Sequence, residues 1–141
     1  MKKQRSGCPV NLTVEILGDK WTLIVIRDIA LGNRRHFREL LTKSEEGIAA
    51  NMLSDRLKLL GESGLISRKN DPTHKQKVIY SLTEAGIELV PVLAQIIIWG
   101  RHHLPVSDHH SAMAKVMEEG GPKLQRKLMA DLRAKHLAPA A

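Results

Sequence analysis

The sequence predicts a mainly α-helical domain that carries one small β-hairpin and dimerises through terminal helices. Three observations predict it. A short helix, Phe37-Arg38-Glu39-Leu40-Leu41, is followed by a break at Ser44-Glu45-Glu46-Gly47 and a longer helix over Ala49 to Glu62, stopped by Gly64. Two extended runs come next, Leu65 to Asn70 and Lys77 to Leu82, joined by the turn-rich, partly basic stretch Asp71-Pro72-Thr73-His74-Lys75-Gln76. Beyond them, Val90 to Trp99 is too apolar for one packed face, and the surplus calls for a second copy of the chain. Helix, Gly-containing turn, helix and basic hairpin, in that order, make a winged helix-turn-helix.

Composition narrows the partners. The formal charge of +7 favours a polyanion. With 43% hydrophobic but only 3% aromatic residues, the core must be filled by aliphatic side chains. The 141 residues divide into an N-terminal arm over 1–10, a winged domain with its dimerisation helix over 11–103 and a helical extension over 104–141. A single cysteine, Cys8, excludes an intramolecular disulfide and a multi-Cys zinc site, and fits a reducing, cytoplasmic compartment. No apolar stretch approaches the ~20 residues that cross a bilayer, so a membrane is not an expected partner. The basic start, Met1 to Arg5, is not followed by the apolar run of a secretory signal.

Taken in order, Asn11 can cap a short helix bearing Leu12, Ile16 and Leu17, which ends at Gly18. Asp19 can cap the next, Lys20 to Leu31, which is apolar nearly all round and reads as the central buried helix. In the longer helix of the pair, Leu53, Leu57 and Leu60 recur at steps of four and three and share the buried face. Ile48 staples its entry. Thr83 caps a helix in which Pro91 imposes a kink or a division. Ser107-Asp108 starts a helix through Met117, Gly120-Gly121 breaks it, and Pro122 opens a last basic helix with Leu124, Leu128 and Leu132 at steps of four.

The candidate site follows from the wet face of the longer helix. At 100° per residue, Asn51, Asp55 and Lys58 point away from the leucines, with Ala50 and Ser54 beside them. Asn51, near the helix start, is the best base reader, because its amide matches adenine in the major groove. Lys58 suits a phosphate; Arg56 lies between faces and could serve either role. Asp55 could accept from a cytosine amine, hold a neighbouring arginine or simply solubilise the surface. Arg34, Arg35, His36 and Arg38 precede or open the first helix, where a phosphate backbone would pass. Arg68, Lys69, His74, Lys75 and Lys77 cluster at the hairpin and would add salt-sensitive backbone contacts. Leu93, Ile96, Ile97 and Trp99 are the candidate dimer contacts.

Other chemistries are weaker. His102-His103 and His109-His110 invite a metal, but adjacent helical histidines point 100° apart and no carboxylate or thiolate stands at a standard ligand spacing, so no metal or other cofactor is expected. There is no Gly-rich phosphate loop, nucleophile elbow or His-x-Glu with paired cysteines, so an enzyme is not expected. Three functional classes remain: a sequence-specific regulator on double-stranded operator DNA, a non-specific nucleic-acid-binding or architectural protein, and a protein-interaction or ligand-binding dimer whose charge is incidental.

Several ordered motifs resemble HxlR-type transcriptional regulators of the MarR-like superfamily. They are Cys8-Pro9-Val10, Leu17-Gly18-Asp19-Lys20-Trp21-Thr22-Leu23-Ile24, Phe37-Arg38-Glu39-Leu40, Leu53-Ser54-Asp55-Arg56-Leu57-Lys58 with Gly64-Leu65-Ile66, and Tyr80-Ser81-Leu82-Thr83-Glu84-Ala85-Gly86. The helix with Pro91 and Trp99-Gly100 is similar to the family's dimerising helix. The resemblance covers Cys8 to His103 and implies a homodimeric bacterial protein that binds operator DNA as repressor or activator, with room for a small-molecule effector. It also implies a redox role for Cys8, since some relatives sense oxidation through a cysteine near the N-terminus, and Lys2, Lys3 and Arg5 would favour the reactive thiolate. Two features depart from the family. The hairpin tip is not proline-rich, and the segment from Leu104 onward has no counterpart from which a role transfers.

Overall fold

The computed structural model describes residues 5–137, apart from the side chains of Lys75 and Gln76. Seven helices and one hairpin follow in the order α1 (Pro9–Leu17), α2 (Thr22–Ala30), α3 (Phe37–Thr42), α4 (Ala50–Glu62), β1 (Ile66–Asp71), β2 (His74–Leu82), α5 (Glu84–Ile87), α6 (Val90–His103) and α7 (Asp108–His136). Two compact units result, Met1–Ser81 and Leu82–Ala141.

In the first unit α2 packs against α1, α3 and α4, and α4 packs against β1. Val25, Ile26 and Ile29 of α2, Leu40 of α3 and Leu53, Leu57 and Leu60 of α4 form an aliphatic core, as the low aromatic content requires. The start of α2 lies two residues later than expected. Asp19 still caps it, its carboxylate accepting from the Trp21 and Thr22 N–H groups at 2.7 and 3.0 Å and from the Thr22 hydroxyl. By contrast, α1 begins at Pro9, ahead of the expected cap. A proline is well placed at the first helical position, and Asn11 sits inside the helix, donating to the Ser6 carbonyl and the Glu15 carboxylate.

Helix α4 ends as its sequence demands: Gly64 takes φ +75°, and Leu65 N–H returns to the Leu60 carbonyl at 3.0 Å. The hairpin is tighter than predicted. Only Pro72 and Thr73 separate the strands, so His74, Lys75 and Gln76 belong to β2 rather than to a long tip. The side chain of Asp71 explains the tightness, because its carboxylate accepts from both the backbone and the hydroxyl of Thr73 at 2.8 and 2.7 Å.

In the second unit α7 packs along α6 and also against α5. Pro91 divides the expected helix: α5 ends at Ile87, and α6 starts at Val90 with Pro91 in its first turn, where no N–H is missed. Gly121, at φ 57° and ψ −155°, breaks α7, and Pro122 restarts it. After the break, Arg133 forks onto Glu84 at 2.7 and 2.8 Å, and the buried His136 accepts the Leu82 N–H on Nδ1 at 2.8 Å. Those bonds tie the end of α7 to the start of the unit.

Candidate nucleic-acid interface

The site is built on α4. Its leucine face is buried, which forces Ala50, Asn51, Ser54, Asp55 and Lys58 outward, and all five are exposed. Beside them α3, the second half of α4 and the hairpin enclose an open cleft of about 1140 Å³. Its floor is apolar, with Leu57, Ile66, Val78 and Tyr80, and its walls carry Arg38, Lys43, Lys58, Arg68 and Lys77. Glu39 and Glu62 are its only carboxylates, so cations dominate. The exposed wall residues face solvent, where phosphate oxygens would find charged donors.

Not every cation predicted for this surface is presented by it. Arg34 donates to the Lys43 carbonyl at 2.7 Å and pairs with Asp28 at 3.4 Å. Arg35 donates to the Tyr80 carbonyl and the Ser81 hydroxyl at 3.2 and 2.5 Å, tying β2 to the loop before α3; burial pushes its pKa down. His36 bridges Asp71 of β1 and Glu39 of α3 at 2.7 and 2.6 Å. Arg56 turns inward, pairing with Asp19 at 3.4 Å and meeting the Met52 sulfur at 3.5 Å. These four, all half-buried, are engaged by partners within the chain. Arg68, Lys69, His74 and Lys77 are exposed on the strands; the Lys75 side chain lies outside the described residues. Sequence reading did not single out Lys43, which lines the cleft from the end of α3, opposite residues of the hairpin that are distant in sequence.

The His36 bridge has a definite electrostatic character. Both ring nitrogens face carboxylates, an arrangement suited to imidazolium, which donates from both. Asp71 and then Glu39 raise the His36 pKa. Thr73, followed by His36, holds the Asp71 carboxyl far below the usual carboxylate range.

Elsewhere, Leu93 is buried within its own chain, Ile97 is half-buried, and Ile96 and Trp99 are 47% and 59% exposed. Pro91, Val92, Gln95, Ile96 and Trp99 line an open apolar groove of about 640 Å³ along α6. Cys8 is exposed at the cap position of α1. The backbone N–H groups of Asn11 and Val10 draw its thiol pKa down. Lys2 and Lys3, expected to favour the thiolate, lie outside the described residues, and Arg5 pairs with Glu15 at 3.5 Å. His102 binds Glu118 at 2.8 Å, His103 stacks on Trp99 with ring centroids 4.8 Å apart, and the Ser107 hydroxyl meets His110 at 2.6 Å. Among the described residues no helix is long and apolar enough to cross a membrane.

Known proteins share this architecture. Residues 16–108 match the model of the HxlR-like helix-turn-helix family. The chain is 35% identical over 115 residues to YdeP of Bacillus subtilis, an uncharacterized HTH-type transcriptional regulator, covering 80% of this chain and 87% of that one. It is 35% identical over 99 residues to another such regulator, Rv3095 of Mycobacterium tuberculosis, but those residues span only 61% of that protein. Among solved structures, the reduced form of the regulator YodB from B. subtilis superposes with a TM-score of 0.58 at 28% identity, covering 73% of this chain and all of that one. The redox regulator HypR in its oxidized form gives 0.59 at 30% identity, covering 70% of this chain and all of HypR. By its motifs, its winged architecture and these relatives, the chain belongs to the HxlR-like helix-turn-helix family of transcriptional regulators.

Proposed function

We propose that this protein regulates transcription by binding operator DNA as a homodimer, with α4 in the major groove and the β1–β2 hairpin on the flanking backbone. The observation that carries this reading is the outward polar face of α4 beside a cleft whose charges are mostly positive. Asn51 and Ser54 offer hydrogen-bonding groups to base edges, whereas Arg38, Lys43, Lys58, Arg68 and Lys77 meet phosphate. Asp55 brings a carboxylate to this face, an acceptor suited to a cytosine amine. The apolar groove of α6 supplies the contact between subunits, through Val92, Ile96 and Trp99. A two-fold dimer presents two α4 helices, and half-sites about 34 Å apart follow for one turn of DNA.

Selection of bound sequences from a random duplex pool tests the reading. The expected product is an inverted repeat, and Asn51→Ala should relax one base position in each half-site by about 1–3 kcal/mol. A pool that converges on nothing, with affinity set by salt alone, would instead make this a charge-driven, non-specific binder.

A second reading concerns the signal. Cys8 is exposed, its thiol pKa is depressed, and HypR and YodB are relatives whose structures include an oxidized and a diamide-treated form. Two Cys8 thiols, one from each of two copies, would join as a disulfide while two electrons and two protons pass to the oxidant. Diamide titration with non-reducing electrophoresis should give a linked dimer that Cys8→Ser lacks. Operator affinity that is indifferent to diamide would remove the sensing role.

A further inference from the structure

The family match stops at residue 108, yet α7 runs on to His136. Charge is sorted along this second unit. Between Leu82 and Gly121 acids predominate: Glu84, Glu88, Asp108, Glu118 and Glu119 stand against Arg101 and Lys115. After Gly121 the balance reverses, with Lys123, Arg126, Lys127, Arg133 and Lys135 against Asp131 alone. The inner face of that last helix is settled by packing. Gln125, Leu132 and His136 are buried, and Arg133 is occupied by Glu84. At 100° per residue Lys123, Arg126 and Lys127 therefore share the outer face, and all three are exposed. Among the described residues no carboxylate forms an ion pair with any of them. Between them and Lys135 that face carries the small side chains of Ala130 and Ala134 and one acid, Asp131.

We propose that the outer face of the terminal helix, centred on Lys123, Arg126 and Lys127, is a second DNA-contacting surface that grips the phosphate backbone without reading sequence. The proposal rests on the DNA-binding reading above, since that reading supplies the duplex as the polyanion. Charge complementarity selects the partner. A helix that lies on a membrane needs large apolar residues on the side that faces the lipid, whereas here Leu132 is buried and Leu124, Leu128 and Met129 are half-buried, away from the cationic face. What the helix from Lys123 to His136 exposes is mainly cationic and includes no exposed large apolar side chain, which suits phosphate. Lys123 and Lys127 stand one turn apart, about 6 Å along the axis, so both can be engaged by one strand.

The test is a salt series on a random-sequence duplex with the full chain. Each phosphate contact contributes about 0.9 to the slope of log K against log salt, so K123Q/R126Q/K127Q should lower that slope by about 2 to 3. The preference for the selected operator over random sequence should stay within about twofold of wild type, because backbone contacts carry no base information. Asp131→Asn, which removes the sole acid beside these cations, should tighten binding to the same duplex. This gain cannot arise from misfolding. A triple variant whose thermal unfolding is intact and whose slope equals wild type overturns the inference, as does loss of binding to phosphatidylserine vesicles with duplex binding unchanged. Lys58→Gln in α4 separates the two claims. If it lowers the slope while the triple variant does not, only the terminal-helix proposal fails. If wild type binds no duplex, both fail.

Discussion

At the scale of single residues, the sequence distinguishes buried from exposed positions better than it distinguishes working cations from structural ones. Leu53, Leu57 and Leu60 are buried because helical spacing leaves no alternative, and the same spacing turns Asn51 and Lys58 outward. The fate of Arg34, Arg35, His36 and Arg56 depends instead on partners distant in the chain, such as Tyr80, Asp71 and Asp19, so nothing local in the sequence reveals it. Gly64 is the opposite case, predictable from a helix stop alone. Its φ of +75° makes Gly64→Ala costly by about 1–2 kcal/mol, measurable by chemical denaturation, even though a methyl would meet no neighbour. His36 gives a pH signature. Its pKa is raised in the folded state, so its contribution is complete below the unfolded value of about 6.5 and fades as pH rises through the folded value. Asp71 is depressed, so its contribution persists above about 4 and is lost only in acid. Thermal unfolding of His36→Gln against wild type should accordingly differ most near pH 5–6 and converge by pH 9. A gap that widens with rising pH would show that the bridge does not hold the imidazolium.

At the scale of elements, the helices of the first unit and the break in α7 were legible because glycines and apolar periods mark them. The hairpin was less so. Its basic residues resembled a long tip, but the Asp71 side chain closes the turn at Pro72-Thr73, and a side chain folded back on its own turn leaves no periodic trace. The consequence is a short wing held beside its turn by His36, through Asp71, and at its base by Arg35, through Tyr80 and Ser81. Removing one apolar prop should therefore act on more than one element. Leu53→Ala, at a position with no exposed surface, should destabilise the first unit by about 2–5 kcal/mol in urea unfolding. Asp71→Ala should weaken duplex binding without changing the preferred sequence, because it frees the wing and leaves α4 in place; a changed sequence preference would tie the hairpin to base reading.

At the scale of the whole molecule, the expectation of a second copy rested on the apolar excess of α6. Leu93 shows why composition alone overstates it, since that side chain is absorbed within its own chain. Val92, Ile96 and Trp99 remain outside, at 41%, 47% and 59% exposure, and they are the residues to test. Trp99→Glu should convert dimer to monomer in sedimentation velocity and, by halving the number of reading helices per complex, weaken operator binding by far more than random-duplex binding. A variant that stays dimeric would move the interface elsewhere on the chain.

Gly121 gives the terminal helix its heading. Its backbone lies at φ 57° and ψ −155°, a combination open in practice to glycine alone. A single added methyl would press the chain to run straight on, swinging Arg133 and His136 away from Glu84 and the Leu82 amide. The hinge is thus a lever: the least bulky residue in the protein decides where its most basic helix is aimed, and evolution could redirect that helix by altering one codon.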